Sequence, residues 1–234
     1  TQYYAQYYNN PNDPSNSKIS PDKFQYYDRA RLQQRDGRWY YGDKRLNVFA
    51  AIDFAFSLNK AADYTALVTV GMDCDRNYYV LDIARFKTKS IKTYFDHILH
   101  SHSKWGFRKL RAEVTVAQEV IVEDLKQNYI VPNGLMLSID KYRPSRAQGS
   151  KDERMLATLE PRYSNGQMWH YKGGNCQVLE EELMMEHPPH DDVIDALTAA
   201  VDIAVPPART GFNRSKNNVV YSSRFGGVSY SQGR

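Results

Sequence analysis

Cysteine is nearly absent from this chain. Only Cys74 and Cys176 occur in 234 residues, they lie in no metal-type pair, and they read as free thiols of a reducing compartment rather than a disulfide. No run approaches the roughly 18 consecutive apolar residues of a membrane span, and the chain does not open on a secretory signal pattern. GxxxxGK[ST] and GxGxxG are both missing. Nucleotide hydrolysis and dinucleotide binding therefore lack their phosphate cradle. Acids are missing from one region: from Val205 to the end Arg209, Arg214, Lys216, Arg224 and Arg234 stand without a single carboxylate. That stretch carries +5 of a net charge of +4, leaving the rest at −1. A basic tail of this kind suits a polyanion or an acidic protein surface.

What is present divides by texture. Residues 1–46 are polar and rich in Asn, Pro, Ser and paired tyrosines; they read as a linker that packs on a neighbour through its aromatics, with a short helix over 21–35. Residues 47–205 carry the apolar periodicity, in the amount expected of one soluble globular domain. Residues 206–234 are rich in Gly, Ser and Asn and read as a flexible basic tail.

Within 47–205 the near-continuous apolar run NVFAAIDFAF (47–56) predicts a strand covered on both faces. DYTALVTVGMD (63–73) and NYYVLDIARFK (77–87) complete an antiparallel meander. A helix over 90–106 follows, with Ser90 as N-cap. Next come a strand at 107–115, a helix at 116–128, a strand at 134–140, a helix at 150–163, a short strand at 166–172 and a helix at 175–186. An acidic helix closes the domain. The fold class is α/β, a mixed sheet flanked by helices.

That last helix, HPPHDDVIDALTAAVDIA (187–204), carries the strongest chemical signal. At about 100° per residue, Asp191, Asp192, Asp195, Thr198 and Asp202 share an arc of roughly 120°, while Val193, Ile194, Ala196, Leu197, Ala200 and Val201 fill the rest. N-capping and the helix dipole account for Asp191 or Asp192 but leave Asp195 unexplained. Asp53 lies within an apolar strand, where a lone carboxylate costs several kcal/mol unless it is paired, protonated or holding a metal; a salt bridge is the plain alternative. Asp63 reads as a strand-start residue. Glu113 ends a strand, where active residues of open α/β sheets sit, although for a lone glutamate a solvated strand end is the plainer reading. Glu119 reads as a surface residue, and His190 as a loop residue at the rim or a ligand. Carboxylate oxygens without a cysteine suit Mg²⁺ or Mn²⁺ rather than Zn²⁺. Two such ions about 3.5–4 Å apart serve phosphodiester cleavage.

AIDFAFSLNKAADYTALVTVGMD, LRAEV and HDDVIDALTAAVDIA, in this order, resemble the nuclease domain of the large terminase subunit of tailed bacteriophages. The closing HDDxxDAL is the most specific part. In the glutamate motif Val114 replaces the Asn often seen in the family. The resemblance covers about residues 47–205, and QYYNNP resembles the family's segment between ATPase and nuclease. It implies an RNase H-like fold and metal-dependent cutting of concatemeric viral DNA during packaging, in the host bacterial cytoplasm and with little sequence preference. It implies two Mg²⁺ or Mn²⁺ ions on Asp53, Glu113, Asp192 and Asp195, with Asp53 bridging them and the choice among Asp191, Asp192 and Asp195 left open. Residues 1–46 would follow an ATPase domain outside this sequence. The partners implied are double-stranded DNA, the portal protein and the small terminase subunit. Lys60, Lys104, Arg108, Lys141, Arg143, Arg146 and Lys151 are the candidate phosphate contacts. A junction resolvase, an RNA–DNA hybrid nuclease and a non-catalytic docking module are the rival readings.

Overall fold

The structure is a computed structural model that describes residues 17–55, 64–115, 118–143 and 149–209. Lys60, Asp63, Arg146 and the tail beyond Arg209 lie outside the described residues. Among the described residues, nine strands form one mixed sheet. Its centre is the expected meander: β4 (Lys44–Asp53), β5 (Thr65–Met72) and β6 (Tyr78–Phe86), antiparallel throughout. All eight residues of β5 are buried, because this strand has a neighbour on each side and cover on both faces. β7 (Lys109–Glu113) adds in parallel to the second half of β4, and β8 (Ser138–Tyr142) in parallel to β7. At the other edge β9 (Met168–His170) runs parallel to β6, and β1 (Gln25–Tyr26) parallel to β9.

Residues 17–46 join this sheet. β2 (Leu32–Arg35) and β3 (Arg38–Tyr41) form a hairpin that extends the first residues of β4, and the expected division at 46/47 falls inside β4. The helix expected over 21–35 is not formed. Two 3₁₀ turns, Pro21–Lys23 and Arg29–Arg31, stand there with β1 between them. Ile19 and Tyr27 enter the core instead, and the Tyr27 hydroxyl donates to the Val80 carbonyl at 2.8 Å.

The helices follow the predicted order. α1 (Ile91–Trp105) starts where the Ser90 hydroxyl accepts from the Thr93 N–H and ends at Gly106, whose φ of 69° is the left-handed turn that glycine takes without strain. α2 (Glu119–Asp124) continues into a π-helical turn, Leu125–Ile130. α3 (Lys151–Ser164) begins with a capping box made by Ser150 and Glu153. α4 (Asn175–Met184) and α5 (Asp192–Asp202) complete the domain. α5 lies across β4, β5 and β7 and buries Val193, Ile194, Ala196, Leu197, Ala200 and Val201. Among the described residues, no helix is long and apolar enough to cross a membrane.

Candidate active site

β4 stops at Asp53, so this residue lies at the carboxyl end of its strand rather than in the middle of an apolar run as expected from the sequence. Its register partner in β7 is Glu113, the last residue of that strand. Parallel pairing therefore delivers two carboxylates to the same edge of the sheet. The amino end of α5 arrives at that edge and adds the helix aspartates, and acids in a first turn complement the helix dipole.

The acidic row of α5 then splits by partner. Asp191 and Asp195 both meet the Lys151 ammonium, Asp191 at 2.9 Å and Asp195 in closer contact. Asp192 is buried, accepts from the Tyr64 N–H at 3.1 Å and lies 3.9 Å from the Arg85 guanidinium. Asp202 pairs with Arg111, which also holds Asp140 of β8 at 3.0 Å, so it ties α5 to the sheet. Thr198 donates back to the Ile194 carbonyl at 2.8 Å.

Neither Asp191 nor Asp192 caps the helix, contrary to expectation: Asp191 occupies the N-cap position but makes no side-chain cap hydrogen bond. The cap comes from another helix. Glu182 of α4, buried, accepts from the Ile194 N–H at 3.0 Å. Burial pushes the Glu182 carboxyl up to about 8; its bond to Ile194 and the nearby Arg85 oppose this, while Asp192 and Asp191 add to it. Nothing in the sequence marks Glu182, because it is one of four glutamates in LEEELMME.

Asp53 feels the other three acids. Its carboxyl is raised well above the ordinary range by burial first, then by Asp195, with Asp192 and Glu113 adding and Lys151 opposing. The Asp195 carboxyl is pushed up to about 7, again by burial first, against the pull of Lys151. Glu113 is met by Arg154 at 3.3 Å. Glu113, Asp195, Lys151 and Arg154 line a cleft of about 410 Å³ with Arg111 and Asp202, whereas Asp53 and Asp192 do not line it. Arg85 and Arg154, like Glu182, were not singled out from the sequence.

The donor set fits a divalent metal of the magnesium type. The four acids are hard oxygen ligands, burial and then their mutual repulsion raise the carboxyls of Asp53 and Asp195, and Lys151, Arg154 and Arg85 offset their charge only in part. A divalent ion would relieve that excess of negative charge.

The candidate phosphate contacts are scattered. Lys151 is in the site. Lys141 and Arg143 follow at its flank, facing Glu123 at 3.8 Å and Glu119 at 2.6 Å. Arg108 is exposed just before β7, at the end away from Glu113, and Lys104 is held by Asp82 at 2.7 Å.

A three-strand antiparallel meander continued by two parallel strands, with acids at the carboxyl ends of its first and fourth members, is an RNase H-like fold. In particular, it is the fold of the nuclease domain of phage large terminases. The crystal structure of the large terminase nuclease from thermophilic phage G20c superposes with a TM-score of 0.53 at 17% identity, over 80% of this chain and 98% of that one. The same nuclease with bound magnesium gives 0.53 over 80% and 97%, and with bound zinc 0.50 over 78% and 95%. No family profile and no curated protein matches the chain.

Proposed function

We propose that this chain is a divalent-metal-dependent endodeoxyribonuclease that cuts concatemeric viral double-stranded DNA during genome packaging, with little sequence preference. The observation that carries the reading is the pairing of Asp53 with Glu113 at the carboxyl ends of β4 and β7, opposite the amino end of α5. It occurs in the fold of a terminase nuclease, one structure of which was solved with magnesium bound.

Glu113 and Asp195 would hold the metal from the cleft side, Asp53 from the end of β4, and Asp192 from the side of Arg85. Two such ions, when bound, supply water activation and stabilisation of the leaving oxygen. The protein's own part is positional and electrostatic. Asp53 and Asp195 must lose their protons to serve as ligands, which the metal's charge favours. Arg111, Lys151 and Arg154 around the cleft would grip backbone phosphates, and Lys141 and Arg143 would extend that grip along the duplex. The basic tail would dock on the portal protein, beside an ATPase domain and the small terminase subunit.

The test is nicking of supercoiled plasmid by the purified chain with and without Mg²⁺ or Mn²⁺. Metal-dependent nicking lost in Asp53→Asn supports the proposal. Cutting confined to branched DNA or RNA–DNA hybrids would point to the resolvase or hybrid-nuclease reading, and no cutting of any substrate would favour a docking module.

A further inference from the structure

Away from the acidic edge, a second set of ligating side chains converges inside the protein. His170 ends β9, and Cys176 and Glu180 lie one turn apart on α4, so a strand end and one helix face present an imidazole, a thiol and a carboxylate together. Their ligand atoms all fall within 4.8 Å of one another. His170 and Cys176 have no exposed surface, and the Glu180 side chain is only 17% exposed. Surface acids gather without purpose; a buried His–Cys–Glu group is different.

The surroundings hold these groups in place. The fully buried Tyr163 hydroxyl lies 2.7 Å from His170 Nε2, leaving Nδ1 to face Glu180 Oε1 at 2.9 Å. Phe24 packs on the imidazole with ring centroids 5.2 Å apart, and β1 pairs with β9 at Tyr26 and His170. Gly173 and Gly174, at φ of 83° and 57°, turn the chain sharply enough for α4 to fold back over the end of β9. A ring nitrogen fixed by a partner on its far side is what metal-ligating histidines need.

We propose that His170, Cys176 and Glu180 form a zinc site separate from the acidic cleft. Sulfur and imidazole ligands select Zn²⁺ over Mg²⁺. On binding, the thiol releases its proton to solvent and becomes a thiolate. The imidazole stays neutral with its proton on Nε2, directed at the Tyr163 oxygen, while Nδ1 and the Glu180 carboxylate turn from each other to the metal. A dication with one thiolate, one carboxylate and a neutral imidazole has no net charge, so its burial is tolerable. The site would join β1, β9 and α4. Two residues past Glu180, α4 carries Glu182, the cap of the acidic helix, so the ion would also brace the amino end of α5.

The purified full chain, dialysed against EDTA, is assayed for bound zinc by elemental analysis. A separate portion, freed of metal by unfolding in a chelator and refolded, is loaded with Co²⁺ and its near-ultraviolet spectrum recorded. Retained zinc and a thiolate-to-cobalt charge-transfer band are expected, both lost in Cys176→Ser and both kept in Asp53→Asn and Asp195→Asn. Glu180→Gln, a milder change, should release zinc at a lower chelator concentration. A Co²⁺ spectrum of the unaltered chain without a thiolate band overturns the proposal whatever the variants do, as does zinc content that Cys176→Ser leaves unchanged. Neither result bears on plasmid nicking, so the two readings fail separately.

Discussion

Asp53 and Glu113 are register partners at the carboxyl ends of adjacent parallel strands. They are 60 positions apart in the sequence, and the pairing of β4 with β7 makes them neighbours. Burial raises the Asp53 carboxyl most, then Asp195 and Asp192, with Glu113 adding a smaller part. That is an electrostatic cost in the folded chain which a bound dication would remove.

Asp53→Asn should therefore reduce metal-dependent nicking to below about a tenth of wild type while leaving the thermal midpoint without metal unchanged or higher. Plasmid nicking and thermal unfolding in EDTA check both halves. Cutting that survives above that level removes Asp53 from the metal site.

Asp195→Asn should impair nicking and weaken Mn²⁺ binding, measured by calorimetry, far more than Glu119→Gln. Asp195 shares the cleft with Glu113 and Lys151, whereas Glu119 is paired with Arg143 on the surface, where such pairs contribute about 0–1 kcal/mol. Equal losses at the two positions would mean that the metal is held elsewhere.

Lys151→Met should lower stability without metal by on the order of 1 kcal/mol, a modest loss because 48% of the lysine side chain is exposed and screened. It leaves Asp191 and Asp195 without their cation. The rise in thermal midpoint produced by saturating Mn²⁺ should then be larger than in wild type, since no ammonium has to be displaced. A smaller rise would show that Lys151 helps to organise the ligands.

Glu182 predicts a pH dependence. Its carboxyl is pushed from 4.5 up to about 8 in the folded chain, so the folded state holds this proton more tightly than the unfolded one. Stability from this group is fully present below about pH 4.5, declines as pH rises, and is lost above about pH 8. Glu182→Gln should flatten the fall of the thermal midpoint between pH 5 and about 8 relative to wild type. Parallel curves for the two proteins would contradict the raised carboxyl.

The element order was legible because its signals are local. Ser90 and Ser150 cap helices as hydroxyls do, and the apolar runs around β4, β5 and β6 read as strands. The hairpin β2–β3 was not legible. Its residues, LQQR and RWYY, are exposed or half-buried and lack the alternation that marks a strand against a core. The strand expected at 134–140 forms at Ser138–Tyr142, none of whose residues is fully buried; its place is set by its parallel register with β7.

For the candidate site, sequence alone determined the residue types proposed: carboxylates at Asp53, Glu113, Asp192 and Asp195, set on apolar segments where an acid is costly enough to need a reason. Tertiary structure decided how they are shared out. α5 meets Lys151 through Asp191 and Asp195, Arg85 and Tyr64 through Asp192, and Arg111 through Asp202, a division invisible in a helical wheel, which shows a face but not what it meets. The same holds for Glu182 and for the His170–Cys176–Glu180 group. Their meaning comes from contacts between a strand end and two helices, and periodicity within one element carries no information about its neighbours.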